Sequence, residues 1–458
     1  MAVGRLVRVK SIGALALASV LVGCSSTTDM IGTDPIAVAL PPGSAGAAGA
    51  TAGAAGAAGA MAGAAGSSVM PPPPPMLLPL TGPDSYPNPL HEELNLTPDA
   101  IDARVENTFQ QLFHGDPSKE AIYVTSADDS SLADDEAYVE DVYHGDIRSE
   151  GVGLGMLISL ELNHRDEFDK LWTYAKRELR YATGPNTGYF RSYCDLSTGQ
   201  MQCVDPYGLQ MFAMSLIFAH DRWKDVADID YGADALDVLH VMLHKEEDNT
   251  GSSDVTNTFD DETQLVFDVP SVAAASRTRP SILMPAFYEL WTQATGNTLF
   301  KQAAASARVL FVAAADEKTG LMPLRTYFDA TPVPGSDTFT PEAYRVLPNI
   351  VLDQLWTTGQ KTTAVKEFNL VLGFFASQGL TKYGTEYQLD GTVVNSAHEP
   401  ALVFVNGMTA MLATTVDQRH DFMQAVWDAK TPTGNPRYYQ GIMQLFALLV
   451  LSGKMQVY

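Results

Sequence analysis

Cysteine is almost missing from this chain, with 3 residues in 458. Neither a disulfide framework nor a cysteine-rich metal module can be built from so few. The 9 histidines are scattered, with no HExxH or comparable ligand spacing, so no metal is expected and no motif asks for another cofactor. Cations are scarce too: 29 Lys and Arg stand against 54 Asp and Glu, a net charge of −25. That balance argues against nucleic acid or anionic lipid as a partner and favours a neutral or cationic ligand. Past the first two dozen residues, no apolar run is long enough to span a bilayer.

The beginning of the chain has a different character. Arg5, Arg8 and Lys10 precede an apolar stretch from Ile12 to Val22, which ends Leu21-Val22-Gly23-Cys24-Ser25. This resembles a bacterial lipoprotein signal over residues 1–23, with Cys24 as the lipidated first residue of the mature protein. Serine rather than aspartate after that cysteine points to the outer membrane or cell surface. Residues 24–83 are low-complexity, with Ala-Gly-Ala-Ala-Gly units running into Pro71 to Pro75. They cannot bury a core and read as a tether. Export permits disulfides, and Cys194 and Cys203 flank a turn-rich loop, which predicts a local bridge between them.

Residues 84–458 have globular composition and carry twelve helical patterns in succession. Odd-numbered patterns are amphipathic, such as the first, where Thr97-Pro98 caps a stripe of Ile101, Val105, Phe109 and Leu112. Even-numbered ones are apolar nearly all round, such as Gly441 to Val450. Amphipathic helices lie outside and all-apolar ones inside. Six outer–inner pairs predict an all-α fold, an (α/α)6 barrel, in preference to an open solenoid, because the repeats share no motif. In such a barrel all inner helices point the same way, so their N-termini share one rim.

Two carboxylates fall on that rim. Glu150 opens the second helix in Asp146-Ile147-Arg148-Ser149-Glu150-Gly151-Val152-Gly153-Leu154-Gly155-Met156, where Ser149 is the expected N-cap. The three glycines imply that something approaches this backbone closely. Glu342 opens the eighth helix, and paired carboxylates across a cleft are the machinery of glycoside hydrolysis.

The segments Leu112-Phe113-His114-Gly115-Asp116, Asp146 to Met156, Glu167-Phe168-Asp169-Lys170-Leu171-Trp172, Phe212-Ala213-Met214-Ser215-Leu216, Met284-Pro285-Ala286-Phe287-Tyr288-Glu289-Leu290-Trp291, Ala343-Tyr344-Arg345-Val346 and Arg437-Tyr438-Tyr439-Gln440-Gly441 resemble glycoside hydrolase family 8. Within that family the likeness is greatest to reducing-end xylose-releasing exo-oligoxylanases. The resemblance implies an (α/α)6 barrel and hydrolysis of β-1,4-linked xylan, glucan or chitosan with inversion. It implies Glu150 as general acid, and it places Glu342 where the family carries the aspartate base. Asp337, on the loop Gly335-Ser336-Asp337-Thr338, is the alternative base. A general acid must hold a proton near neutral pH, which a helix N-terminus opposes. Burial, or a neighbouring acid such as Asp141 or Asp146, is therefore expected to counter it.

The chain also departs from the family pattern. Tyr207 replaces the sugar-holding aspartate of Pro-Asp-Gly-Glu-Glu, with Asp205 near enough to substitute, and Arg279-Pro280-Ser281-Ile282-Leu283-Met284-Pro285 replaces Asp-Pro-Ser-Tyr-His-Leu-Pro. Tyr193, Tyr344 and Tyr438 are candidate sugar platforms, and Arg345 is expected to orient Glu342. The expectation is a monomeric, membrane-tethered inverting glycosidase acting on an oligo- or polysaccharide. The alternative is a carbohydrate-binding lipoprotein that keeps the barrel without turnover.

Overall fold

Each inner helix in this protein finds its neighbours two helices away in sequence, and that rule closes a ring. The computed structural model describes residues 76–195, 204–224, 229–248, 254–274, 276–357 and 361–458. Among them twelve helices of 10 residues or more follow a one-turn helix at Pro89–Glu92. We number them α1 (Pro98–His114), α2 (Ser149–Glu161), α3 (Arg165–Tyr174, widening into a π-helical turn at Ala175–Leu179), α4 (Pro206–Trp223), α5 (Tyr231–Asp248) and α6 (Pro285–Thr295). The second half comprises α7 (Thr298–Ala314), α8 (Val346–Trp356), α9 (Lys361–Gln378), α10 (Pro400–Ala410), α11 (Arg419–Asp428) and α12 (Arg437–Leu451). The even helices touch in the order α2, α4, α6, α8, α10, α12 and back to α2. Odd helices pack outside: α1 on α12, α3 on α2, α5 on α4, α7 on α6, α9 on α8 and α11 on α10. A solenoid has no contact between its first and last repeats, so the α12–α2 joint establishes the barrel.

Local chemistry explains the two layers. In α1 the hydroxyl of Thr97 accepts from Ala100 N at 3.3 Å and proline starts the first turn. Ile101, Val105, Phe109 and Leu112 are buried, while Asp102 and Gln110 on the other face are exposed. Burying those four side chains contributes on the order of 6–12 kcal/mol. In α2 every residue from Gly151 to Glu161 is buried, which an inner helix flanked on all sides requires.

Nine short strands among the described residues are an addition that the helical pattern did not show. β1 (Tyr123–Thr125), β2 (Ala137–Asp141), β3 (Asp146–Arg148) and β4 (Tyr193–Asp195) form one antiparallel sheet. β5 (Arg277–Thr278) pairs with β6 (Thr326–Tyr327), and β7 (Thr338–Phe339) joins β8 (Glu386–Gln388) and β9 (Val393–Asn395). Several of these strands lead into inner helices: β3 runs into α2, β5 precedes α6 and β7 precedes α8. They stiffen the rim on which the N-termini gather.

The C-terminal ends of the inner helices meet at the opposite rim, where Phe218 of α4 packs edge-on to Trp356 of α8 at 5.3 Å. There Glu161 ends α2, only 5% exposed, beside a cleft of about 430 Å³. Its Oε2 accepts from Tyr458 Oη at 2.9 Å and Gln456 N at 3.2 Å, while Oε1 has no partner. Burial pushes this carboxyl up to about 8, against the Tyr458 hydroxyl, the Gln456 amide and Arg222. An unfolded glutamate titrates near ~4.3, so the folded state binds the proton more tightly. The resulting stability is complete below about pH 4 and drains away as pH climbs to about 8, by at most roughly 1.4 kcal/mol per pH unit. Thermal unfolding across that window is expected to show a falling Tm that Glu161→Gln flattens. Parallel curves for the two proteins would refute it.

Candidate active site

The start of α2 is built differently from its expected cap. Arg148 occupies the N-cap position without a side-chain cap bond, and Ser149 is the first helical residue. The strand pairing recruits the serine instead: its N–H and hydroxyl both donate to Ser192 O, at 3.0 and 3.3 Å. The glycines of α2 accommodate protein rather than ligand. A Cβ on Gly151 would lie 2.7 Å from the Tyr438 hydroxyl, one on Gly153 would strike Met211, and one on Gly155 would strike Val139. Close helix packing is the physical reason for all three.

This arrangement brings Glu150 to Arg345. Glu150 is ion-paired to Nη1 of Arg345, and Nη2 of the same guanidinium lies 3.4 Å from Glu342 Oε1. Ion-pair contacts of roughly 3 Å to neighbouring nitrogens of one planar group hold the two carboxylates within about 8 Å of each other. An inverting hydrolase needs roughly 6.5–9.5 Å. Arg345 was expected to orient Glu342; it serves both acids, and its side chain is 7% exposed.

Asp141 and Asp146 are paired within their own hairpin. Both turn to Arg148, at 3.1 and 2.9 Å, and Asp141 also engages His144 at 2.7 Å. The β2–β3 hairpin thus neutralises its own acids.

On the far side, Glu342 also accepts a hydrogen bond from Nη1 of Arg279. Arg279 donates through Nη2 to Asp205 at 2.7 Å, and its Nε forms an ion pair with Asp268 at 2.7 Å. Asp268 is held in turn by Arg325 at 2.8 Å. Four acids and three arginines therefore join in one network at this rim. Burial would raise the Glu342 carboxyl, but Arg279, Arg345 and Arg325 outweigh it and hold it down at about 2. It is an ionised carboxylate at any working pH. Among the described residues no three His, Cys, Asp or Glu side chains converge as metal ligands.

The other candidates fall into two groups. Asp205 caps α4, accepting from Tyr207 N at 3.2 Å, and joins the network through Arg279. Tyr193 of β4 stands opposite Arg148 of β3, whose guanidinium carbon lies 6.0 Å from its ring centre. Three tyrosines present no face to a sugar. Tyr207 is 4% exposed with Arg345 over its ring at 5.0 Å, and Tyr344 is fully buried between Phe339 and Tyr439. Tyr438 is buried against Gly151. The expectation of stacking platforms at Tyr344 and Tyr438 is corrected, since both rings are buried in packing contacts, and Tyr207, expected at a sugar-holding position, is buried beneath Arg345. Burial and Glu150 push the Tyr438 phenol well up, so it stays a proton donor. Asp337 sits exposed on its loop, next to Ser336, which Arg325 hydrogen-bonds. Cys203 and the side chain of Cys194 lie outside the described residues, as do residues 1–75 with Cys24.

Arg279, Asp268 and Arg325 were missed as site residues. One signal was available: in a chain this short of cations, an arginine stands where the resemblance implies an acid, shortly before an inner helix.

Two acids fixed around one guanidinium at a barrel mouth are equipped for glycosidic-bond hydrolysis, and comparison with known proteins agrees. The chain belongs to the glycosyl hydrolases family 8, whose family model matches residues 143–453. It is an inverting O-glycosyl hydrolase. Reducing-end xylose-releasing exo-oligoxylanase Rex8A from Paenibacillus barcinonensis is 31% identical over 376 residues, 79% of this chain and 93% of that protein. A reducing end xylose-releasing exo-oligoxylanase from Halalkalibacterium halodurans is 30% identical over 379 residues, covering 81% and 94%. Endoglucanase C from Ruminiclostridium cellulolyticum is 24% identical, covering 67% and 64%. The structure of Rex8A complexed with xylose superposes with a TM-score of 0.74 at 31% identity, over 82% of this chain and 98% of that one.

Proposed function

We propose that this protein hydrolyses β-1,4-linked xylo-oligosaccharides, with Glu150 protonating the leaving glycosidic oxygen and Glu342 activating the water. The observation that carries this reading is the single guanidinium of Arg345 between the two acids. For inversion, water attacks the anomeric carbon from the face opposite the departing oxygen. Glu342 takes the proton of that water as the C–O bond breaks, and Glu150 gives its proton to the leaving oxygen. The arginines of the network are committed to carboxylates, so the site favours a neutral sugar over an anionic one. The names of the exo-oligoxylanase relatives support xylan over glucan or chitosan.

The same reading puts the domain, as a monomer, behind a tether over residues 24–83 and an acylated Cys24, on the outer membrane or cell surface. The basic residues, apolar stretch and cysteine at its end support this part. Among the described residues no helix is long and apolar enough to cross a membrane.

The test is hydrolysis of xylo-, cello- and chito-oligosaccharides by the purified chain, with the anomer released followed by NMR. Cleavage of the xylo series with the α-anomer appearing first is expected. Binding of xylo-oligosaccharides without cleavage would sink the substrate assignment. In cells, activity should stay with the membrane fraction and leave it in Cys24→Ala; membrane association that survives this change would refute the anchor.

A further inference from the structure

Glu342 stands where the family pattern has the shorter aspartate, and its additional methylene carries the carboxylate about 1.5 Å further. Arg279 stands where the same pattern has an acid. These two departures meet in space: Nη1 of Arg279 donates to Oε1 of Glu342.

The guanidinium of Arg279 is not free to follow its partner. Its Nη2 is fixed on Asp205, which is itself fixed as the cap of α4. Its Nε is ion-paired with Asp268, which Arg325 holds from the other side. The side chain is 8% exposed. The third nitrogen is therefore a stationary donor, and Glu342 must come to it. Arg345 approaches the same Oε1, at 3.4 Å. Both cations thus act on one oxygen, and no described group donates to Oε2 of a side chain that is 30% exposed.

We propose that Arg279 is a positioning residue that adapts the longer glutamate to the base's place, pulling Oε1 aside so that Oε2 is presented to the hydrolytic water. This rests on Glu342 being the base. The charged and titratable groups around Glu342 are Arg345 on its own turn, Arg279 ahead of α6, Arg325 beside β6, Asp268, Asp205 and Tyr207 at the start of α4, Glu150 of α2 and Tyr439 of α12. Arg279 is the cation that hydrogen-bonds Glu342 directly, so its removal should release the carboxylate both in place and in acidity.

The experiment compares full-length wild type with Arg279→Gln, Arg279→Lys, Glu342→Asp and the Arg279→Gln/Glu342→Asp double variant, using the xylo-oligosaccharide that the wild type cleaves. Misplacing a reacting group by an ångström costs up to ~100-fold, so Arg279→Gln is expected to lower kcat roughly 10- to 100-fold with KM nearly unchanged. The acid limb of its kcat/KM profile should move up towards the ordinary glutamate range of about 4. Arg279→Lys keeps a charge without the fork, so it should hold the limb low while kcat still falls. In the Glu342→Asp background the loss on removing Arg279 should shrink to about threefold or less, because a shorter acid does not reach the stationary donor. An unchanged kcat and acid limb in Arg279→Gln, or in Arg279→Lys where the glutamine variant does not fold, overturns the proposal. A loss just as large in the aspartate background also overturns it. Glu342→Gln separates the two levels of argument. If it is fully active, the base assignment fails and this proposal with it. If it is inactive while the Arg279 variants are unmoved, only the positioning role fails.

Discussion

Glu150→Gln is expected to lower kcat on an unactivated xylo-oligosaccharide by about 10²–10⁴, the usual contribution of a general acid. The amide keeps the size of the side chain and can still accept from Arg345, so the start of α2 should be undisturbed and KM should change little. What it lacks is a proton to give. The diagnostic is an aryl xyloside with a good leaving group, whose departing oxygen needs no protonation. On that substrate the variant should retain most of the wild-type rate. An equal loss on both substrates would mean that the substitution damages the site in some other way, and full activity on the oligosaccharide would remove Glu150 from the mechanism.

Glu342→Gln should be as severe, for the complementary reason. It removes the proton acceptor, and it leaves the buried guanidinium of Arg279 and that of Arg345 sharing one acid fewer. Loss of a partner from a buried charge network is destabilising as well as inactivating. The pH dependence has a definite sign. Arg279, Arg345 and Arg325 hold the folded carboxyl at about 2, against about 4.3 when unfolded. Its contribution to stability is therefore complete above about pH 4 and drains away as pH falls towards 2. The gap in unfolding free energy between wild type and Glu342→Gln should narrow across that interval. A gap that is constant from pH 5 to 2 would contradict the pairing. Asp337→Asn, on its exposed loop, is the control and should keep full activity.

Much of this architecture is legible from the pattern of apolar residues alone. α12 is buried from Gly441 to Leu451 and α1 only along one stripe, and that contrast is visible without coordinates. That Glu150 and Glu342 share one rim follows from the common direction of the inner helices, although α8 begins only at Val346, after a 3-10 turn over Ala343–Arg345 that Glu342 precedes. The strands were not legible, because segments of two to five residues show no alternation to detect. Ser149 looked like a cap because serine usually is one; the edge of β4 offered its backbone and hydroxyl a better partner in Ser192 O. The tyrosines misled in a similar way. An aromatic near a site reads as a sugar platform, yet Tyr344 is wholly enclosed and Tyr438 packs on Gly151. The hold of Arg279 on Glu342 spans 63 residues and leaves no periodic trace. Only the exchange of an acid for a base at that position marked it.

The ring has a seam. Five of the six inner joints form between neighbouring pairs of the chain, but the sixth joins α12 to α2, and Arg437 donates to Ala121 O across 316 residues. A joint between such distant parts of the chain carries a large loop-closure cost. Tyr438 of α12 packs on Gly151 of α2, next to Glu150, so the protein wall beside that acid is complete only in the closed ring. Closure of the barrel and completion of that wall are one and the same contact.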